Sequence, residues 1–90
     1  MLFMVVEKFR NQNAKAVYRR LRDEGRGFPD GLKFVGSWVS ADLGRCFQLM
    51  EAEDVALLQR WVAEWCDLAE FEILPVIPGK DTAAALAGQL

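Results

Sequence analysis

Four segments of this chain have the composition of β-strands, yet in each of them apolar residues occupy both alternating sets of positions. The segments are Leu2–Phe9, Leu32–Ser40, Arg45–Ala52 and Glu70–Ile77. An antiparallel sheet with one face in water shows a clean alternation of apolar and polar side chains. We therefore expect a sheet that is covered on both faces, which is a strong restriction for a chain of 90 residues.

Two amphipathic helices are predicted between these strands, with apolar residues spaced three and four apart. Asn13 is the expected N-cap of the first helix and Asp54 that of the second, whose buried stripe includes Trp61 and Trp65. The order β-α-β-β-α-β with right-handed crossovers predicts an α+β, ferredoxin-like sandwich. The sheet order would be 4-1-3-2, and Pro75 favours an edge position for the fourth strand.

One domain is expected, since 90 residues are near the small end of what folds alone. We assign residues 1–78 to the ferredoxin-like domain. Residues 79–90 are rich in alanine and are interpreted as a C-terminal tail that contains a short helix.

Alternation along each strand divides the side chains into two faces. The larger and more aromatic set is predicted to lie under the helices: Phe3, Val5, Phe9, Phe34, Gly36, Trp38, Phe47, Leu49, Phe71, Ile73 and Ile77. The second set is predicted to lie on the opposite face: Met4, Val6, Lys8, Val35, Ser37, Val39, Cys46, Gln48, Met50, Glu72, Leu74 and Val76. Near strand ends, Glu7 and Glu51 fall on the helix side, where they could pair with Arg45 or cap loops.

The second face is also mostly apolar, and two helices can cover only the first. Leaving its apolar side chains in water would forfeit on the order of 10 kcal/mol, which is comparable to the stability of a whole domain. A homodimer in which two such faces pack about a two-fold axis is the simplest solution. The expected dimer-face residues are Met4, Val6, Val35, Val39, Met50, Leu74 and Val76.

Five polar or reactive side chains of the second set form a candidate ligand site between the sheet and its dimer mate. They are Lys8, Ser37, Cys46, Gln48 and Glu72. An apolar wall with a few convergent polar groups is typical of a small-molecule pocket. A plainer interpretation is that Lys8 pairs with Glu72 across strands, that Gln48 bonds Ser37, and that Cys46 is a small buried hydrophobe.

The composition excludes several classes of site. The chain has no histidine, so imidazole-based triads, most zinc sites and histidine-ligated haem are excluded. Its net charge of −2, from 11 basic and 13 acidic residues, predicts no affinity for nucleic acid or anionic lipid. Asp23 and Glu24 interrupt the arginines of the first helix region (Arg19, Arg20, Arg22 and Arg26), which favours a solvated helix face. We expect no metal, no cofactor and no membrane partner.

The early apolar run Met1–Val6 lacks the basic leader and the length of a signal peptide, and two cysteines form no disulfide framework. Reduced thiols fit a cytoplasmic protein, and we expect that compartment.

The phrases MLFMVVEKF, GLKFVGSW, RCFQLMEAED and WCDLAEFEILPV resemble the bacterial family called domain of unknown function 3303. The likeness extends to about Ile77. It implies a ferredoxin-like fold in the dimeric α/β-barrel superfamily, and it implies no catalytic residue. Three functions remain open: a homodimeric domain that binds a small, partly hydrophobic ligand, a cofactor-independent monooxygenase or isomerase, and a structural dimer without a ligand. For an enzyme, Lys8, Gln48 and Cys46 would be the candidates.

Overall fold

The computed structural model describes residues 1–90 and contains one antiparallel sheet. The strands are β1 (Leu2–Phe9), β2 (Lys33–Val39), β3 (Arg45–Glu51) and β4 (Ala69–Val76). Their order in the sheet is β2-β3-β1-β4, which confirms the predicted ferredoxin-like topology and the edge position of the strand that contains Pro75.

Helices α1 (Ala14–Glu24) and α2 (Val55–Trp65) connect the strands on one face of the sheet. Both predicted caps are confirmed: the Asn13 side chain accepts a hydrogen bond from the Ala16 N–H at 3.1 Å, and Asp54 accepts one from the Ala56 N–H at 2.9 Å. These bonds satisfy backbone donors that the first turn of a helix leaves without partners. A third helix, α3 (Gly79–Leu86), follows β4. None of the helices is long and apolar enough to cross a bilayer.

The core lies between the sheet and the two connecting helices. Leu58 and Trp61 of α2 belong to one buried cluster with Val5 of β1, and the Trp61 ring meets Phe71 of β4 edge-on at 5.3 Å between centroids. This sheet face, which we call the helix face, therefore has both the cover and the aromatic content that the sequence predicts.

The opposite sheet face has no cover within the chain, and we call it the open face. Strand pairing assigns to it fifteen positions: Leu2, Met4, Val6, Lys8, Lys33, Gly36, Trp38, Arg45, Phe47, Leu49, Glu51, Glu70, Glu72, Leu74 and Val76. Eight of these positions carry apolar side chains. Trp38 is 60% exposed and Leu74 is 45% exposed.

The face prediction is confirmed for β1 and for Phe71, Ile73, Glu72, Leu74 and Val76 of β4, and it is wrong for β3. Ile77, predicted for the helix side, lies beyond the end of β4 and is 62% exposed. Cys46, Gln48 and Met50 pair with Glu7, Val5 and Phe3, and all three are buried on the helix face. Their neighbours Phe47, Leu49 and Glu51 lie on the open face instead. The physical reason is that a shift of one residue exchanges the two faces of a strand. Since both faces of this strand are apolar, size and polarity do not distinguish them.

In β2 the prediction is right for Phe34 and wrong for later residues, because the strand contains a β-bulge. The pairing with β3 shifts between Phe34 and Gly36, so that Val35 is the extra residue and is half exposed. A bulge inserts one residue and reverses the alternation beyond it. Ser37 and Val39 therefore share the helix face with Gln48 and Cys46, and Trp38 turns to the open face.

Three of the predicted dimer-face residues do not lie on the open face as regular strand positions, because β3 presents its other side and β2 contains a bulge. Met50 is fully buried and Val39 packs against the core, so neither lies on the open face. Val35 lies outside the regular pairing. The remaining predicted residues of that set do lie on the open face: Met4, Val6, Leu74 and Val76.

Candidate functional site

A cavity of about 60 Å³ lies between the helix face and α1, α2 and the loop that follows α1. Its floor is polar, with Glu7 of β1 and Cys46 and Gln48 of β3, while aromatic rings form much of its wall. A water molecule needs about 10–15 Å³ of such space, so the cavity holds the volume of a few non-hydrogen atoms. This is the size of a ligand's head group and not of a whole drug-sized molecule.

Strand pairing explains why the polar floor residues meet. Glu7 is directly opposite Cys46, and Gln48 is directly opposite Ser37 on its other side. Cross-strand neighbours on one face have Cβ atoms about 5 Å apart. The pairing therefore brings a carboxyl, a thiol, an amide and a hydroxyl together in one patch of the helix face.

Glu7 is the charged residue at the bottom of this cavity, and only 8% of it is exposed. Burial raises the pKa of its carboxyl above the ordinary value, because a low-dielectric environment disfavours the charged form. A hydrogen bond with the Cys46 thiol and the positive charge of Arg26 oppose that effect without cancelling it. A buried carboxyl with a raised pKa that lines a cavity is a candidate site residue.

Cys46 is the thiol partner of this carboxyl. Burial, together with the adjacent Glu7, raises the pKa of Cys46 to about 12. A thiol with such a pKa is almost wholly protonated at neutral pH and is a poor nucleophile. Cys46 is thus a protonated thiol at neutral pH, and with 6% of it exposed it packs within the core.

Gln48 completes the floor. It is buried, with 4% of its surface exposed, and its Nε2 group donates to the Sδ atom of Met50 at 3.1 Å. A thioether is a weak acceptor. The amide therefore has donor capacity that a better acceptor could use.

The loop after α1 forms the rim of the cavity. The indole N–H groups of Trp61 and Trp65 both donate to the backbone carbonyl of Arg26, at 3.3 and 3.1 Å. The Arg26 guanidinium lies over the ring of Phe34 at 4.1 Å from its centroid. These contacts hold a cation close to the buried carboxyl, whereas the sequence assigned Arg26 to a solvated helix face.

Tyr18 of α1 stands at the mouth, where it is 49% exposed. Burial raises the pKa of its phenol, and the adjacent Cys46 and Glu7 contribute in the same direction. The phenol is consequently a protonated donor or acceptor at neutral pH. Its half-exposed position makes it the side chain that an incoming molecule would meet first.

The structure divides the five predicted ligand residues between the two faces. Ser37, Cys46 and Gln48 line the cavity on the helix face, but Lys8 and Glu72 lie on the open face. The predicted cluster is therefore wrong as one constellation, since β3 and the end of β2 present the opposite side. Lys8 is opposite Glu70, and not Glu72, in β4.

Sequence reasoning missed Tyr18 and the place of Arg26 at the cavity, and it expected Glu7 to pair with Arg45 or cap a loop rather than to line a cavity. One signal was present: Glu7 is the charged residue that interrupts the apolar helix-side alternation of β1 between Val5 and Phe9. No sequence signal marked Arg26, because its position depends on hydrogen bonds from the indole groups of Trp61 and Trp65, which are distant in sequence. No group of three carboxylates and thiols has the geometry of a metal site.

The fold and the cavity together define a small α+β domain of the ferredoxin-like type, with a mostly apolar pocket under its helices that contains one buried carboxyl. The chain belongs to the family described as a domain of unknown function, DUF3303, which matches residues 1–90. This confirms the resemblance seen in the sequence. None of the curated proteins matches the chain.

Among solved structures, protein Atu4242 from Agrobacterium tumefaciens is similar to this chain, with a TM-score of 0.50. The two share 15% sequence identity, and the alignment covers 86% of this chain and 94% of that one. At this level of identity the likeness supports the fold alone.

Proposed function

We propose that this protein is a homodimeric domain that binds the head group of a small, partly apolar molecule in the cavity under its helices. The observation that carries the ligand-binding part is Glu7, a carboxyl buried beside Cys46 at the floor of a cavity. A buried carboxyl is costly unless a partner satisfies it. Its partner within the protein, the Cys46 thiol, is a weak donor, and a ligand that donates an O–H or N–H group would supply a stronger one.

The wall of the cavity selects the rest of the ligand. Phe9, Phe28, Trp61 and Trp65 surround the space above the carboxyl. These rings favour an apolar or aromatic body, while Glu7 favours a hydrogen-bond donor. This location replaces the one predicted between the sheet and its dimer mate, because the residues of the cavity floor face the helices.

Phenol is a suitable probe, and toluene is its control of nearly equal shape without a donor. In a Trp38→Phe background the remaining indoles, Trp61 and Trp65, both line the cavity and report binding by fluorescence. We expect phenol to bind about tenfold or more tightly than toluene, the usual effect of one hydrogen bond to a charged acceptor. Glu7→Gln should reduce this preference.

Glu72→Gln is the matched control, because it removes a carboxylate from the open face and should leave the preference unchanged. Equal binding of phenol and toluene, or equal effects of the two substitutions, would contradict the ligand-binding proposal. In that case the polar groups at the floor serve only the fold, and the protein is a structural dimer.

The homodimer is proposed from the open face, where eight apolar side chains lack cover. At roughly 1–2 kcal/mol each, their burial is worth on the order of 10 kcal/mol. Charged residues lie around this apolar centre, with Lys8 and Glu70 at one end and Lys33 and Glu51 at the other. An apolar centre with a charged rim is the usual anatomy of a protein interface.

The surface area of the protomer supports the same proposal. Its accessible surface is 6236 Å², whereas a compact monomer of 10.2 kDa exposes roughly 5,300 Å². This excess of about 900 Å² comes from parts of the protomer that lack cover, and the open face is one of them.

Phe47→Asp tests the interface, because Phe47 lies on the open face and is 37% exposed in the protomer. We expect the substitution to convert the dimer into monomers, measured by sedimentation velocity. Val55→Asp introduces the same charge at an exposed residue of α2 and should leave the dimer intact. If both variants keep the mass of the wild type, the open face is not the interface.

A proton-transfer enzyme of the isomerase type is the second candidate, and the raised pKa of the buried Glu7 carboxyl favours it. Lys8, one of the three residues that the sequence suggested for an enzyme, lies on the open face and cannot serve this cavity. Acetophenone in deuterated water provides a test: the carboxylate would take a methyl proton, and solvent would return a deuteron. Exchange by the wild type at the rate of Glu7→Gln would exclude this activity.

A further inference from the structure

The C-terminal segment, residues 79–90, has no packing partner in the protomer, and we call it the C-terminal arm. It comprises α3 and one turn of 3₁₀-helix, Ala87–Gln89, and every residue of it is exposed. Leu86 is 45% exposed and Leu90 is 98% exposed. The arm contributes to an elongated shape of 49 × 31 × 17 Å.

The arm nevertheless has a side that is suited to packing. Ala83 and Leu86 are three residues apart, which places them on one side of α3, and Leu90 follows directly after the 3₁₀ turn. An isolated helix of fewer than about 12 residues is only marginally stable in water, and α3 has eight. A helical arm of this length therefore needs a surface against which its apolar side can pack.

The arm begins at the rim of the open face. Leu74 and Val76 of β4 belong to that face, and only Ile77 and Pro78 separate Val76 from the first residue of α3. The connecting residue Ile77 is 62% exposed, so this link has no cover within the protomer. Any second copy that covers the open face thus comes close to the arm of the first.

We propose that the C-terminal arm packs through Leu86 and Leu90 on the second copy of the chain, so that two arms extend the interface between the open faces. This inference rests on the proposed homodimer. The radius of gyration, 15.0 Å, exceeds the roughly 12 Å of a compact 90-residue chain, as expected of a protomer that projects part of itself onto a partner. In a two-fold dimer each arm meets an identical surface, so one contact is made twice.

Two substitutions at adjacent positions of the full-length chain test the proposal. Leu86→Asp places a charge on the apolar side of α3, and Ala85→Asp places the same charge on the opposite side. We expect Leu86→Asp to raise the dimer Kd roughly a hundredfold, about tenfold for each of two leucines removed from the interface. Ala85→Asp should change it by less than about threefold. Sedimentation velocity over a concentration series measures both.

Other outcomes overturn the proposal in distinguishable ways. Equal dimer Kd values for the two variants would show that the arm does not contact the partner. A lower unfolding temperature of Leu86→Asp at an unchanged dimer Kd would show that the arm packs on its own protomer. If Phe47→Asp abolishes the dimer while Leu86→Asp has no effect, the arm proposal alone fails. A wild-type chain that is monomeric at every concentration removes both proposals.

Discussion

The carboxyl of Glu7 has a measurable consequence for stability, which the isosteric substitution Glu7→Gln isolates. Its pKa is raised in the folded protein, so between the unfolded value near 4.5 and the folded value the native state binds more protons than the unfolded state. Stability must then fall as pH increases through this window and stay lower above it. Glutamine cannot ionise, and Glu7→Gln should not show this fall.

The expected difference in stability between the wild type and Glu7→Gln follows from how far the pKa of Glu7 is raised. Each unit by which the pKa is raised removes about 1.4 kcal/mol of stability at pH values above the folded pKa. With a urea dependence of about 1–2 kcal/mol per molar for a small domain, one unit corresponds to roughly 1 M in the unfolding midpoint. At pH 8, Glu7→Gln should therefore unfold at a higher urea concentration than the wild type, by roughly 1 M for each unit by which the pKa is raised. This difference in stability should narrow as the pH falls toward 4.5.

Urea unfolding from pH 5 to pH 8, followed by tryptophan fluorescence at one protein concentration, measures this gap. The range avoids interference from Asp42 and Asp67, because hydrogen bonds with Ser40 and with Arg20 hold the pKa of each below its ordinary value of 3.8. Glu53→Gln, at an exposed position, is the control and should leave the pH profile unchanged. A gap that narrows as pH rises would refute the reasoning, since it would mean that Arg26 stabilises an ionised carboxylate more than burial penalises it.

Three further results are expected. Iodoacetamide at pH 8 should modify the exposed Cys66 and not Cys46, because the buried Cys46 thiol has a pKa of about 12. Mass spectrometry of the native protein should therefore show one label, and two labels would contradict the burial of Cys46. Leu58→Ala should cost about 3–5 kcal/mol of unfolding free energy, because a fully buried leucine leaves a cavity, and a loss below 1 kcal/mol in urea unfolding would contradict its place in the core. Asn13→Ala should cost about 1 kcal/mol by removing the cap of α1, whereas Asn13→Asp, which retains an acceptor, should cost less in the same assay.

The order and type of the elements could be predicted because each carries a distinct periodicity. Apolar spacing of three and four identifies α1 and α2, and the faces of β1 and β4 follow from alternation anchored by Phe3 and Phe71. The topology follows from the order of elements and the handedness of crossovers. These features depend on local pattern, which a single sequence contains.

The site was only partly predictable, because its geometry depends on two choices that alternation does not make. The side that β3 presents to the helices is ambiguous when Phe47 and Leu49 compete with Met50. The bulge at Val35 has no local marker apart from the adjacent Gly36, and it moves Ser37 into the cavity. A sheet with two apolar faces is thus the kind of sheet in which register is hardest to read.

The central claim is that the open face of the sheet is buried by a second copy of the chain, and hydroxyl-radical footprinting tests it directly. Trp38 and Met4 lie on that face, while Tyr18 lies at the mouth of the cavity on the other side and serves as the internal standard. At a concentration where the wild type is dimeric, Trp38 and Met4 should oxidise several-fold more slowly, relative to Tyr18, than in Phe47→Asp. Equal oxidation rates in the two proteins would show that this face stays in water, and the account would be wrong.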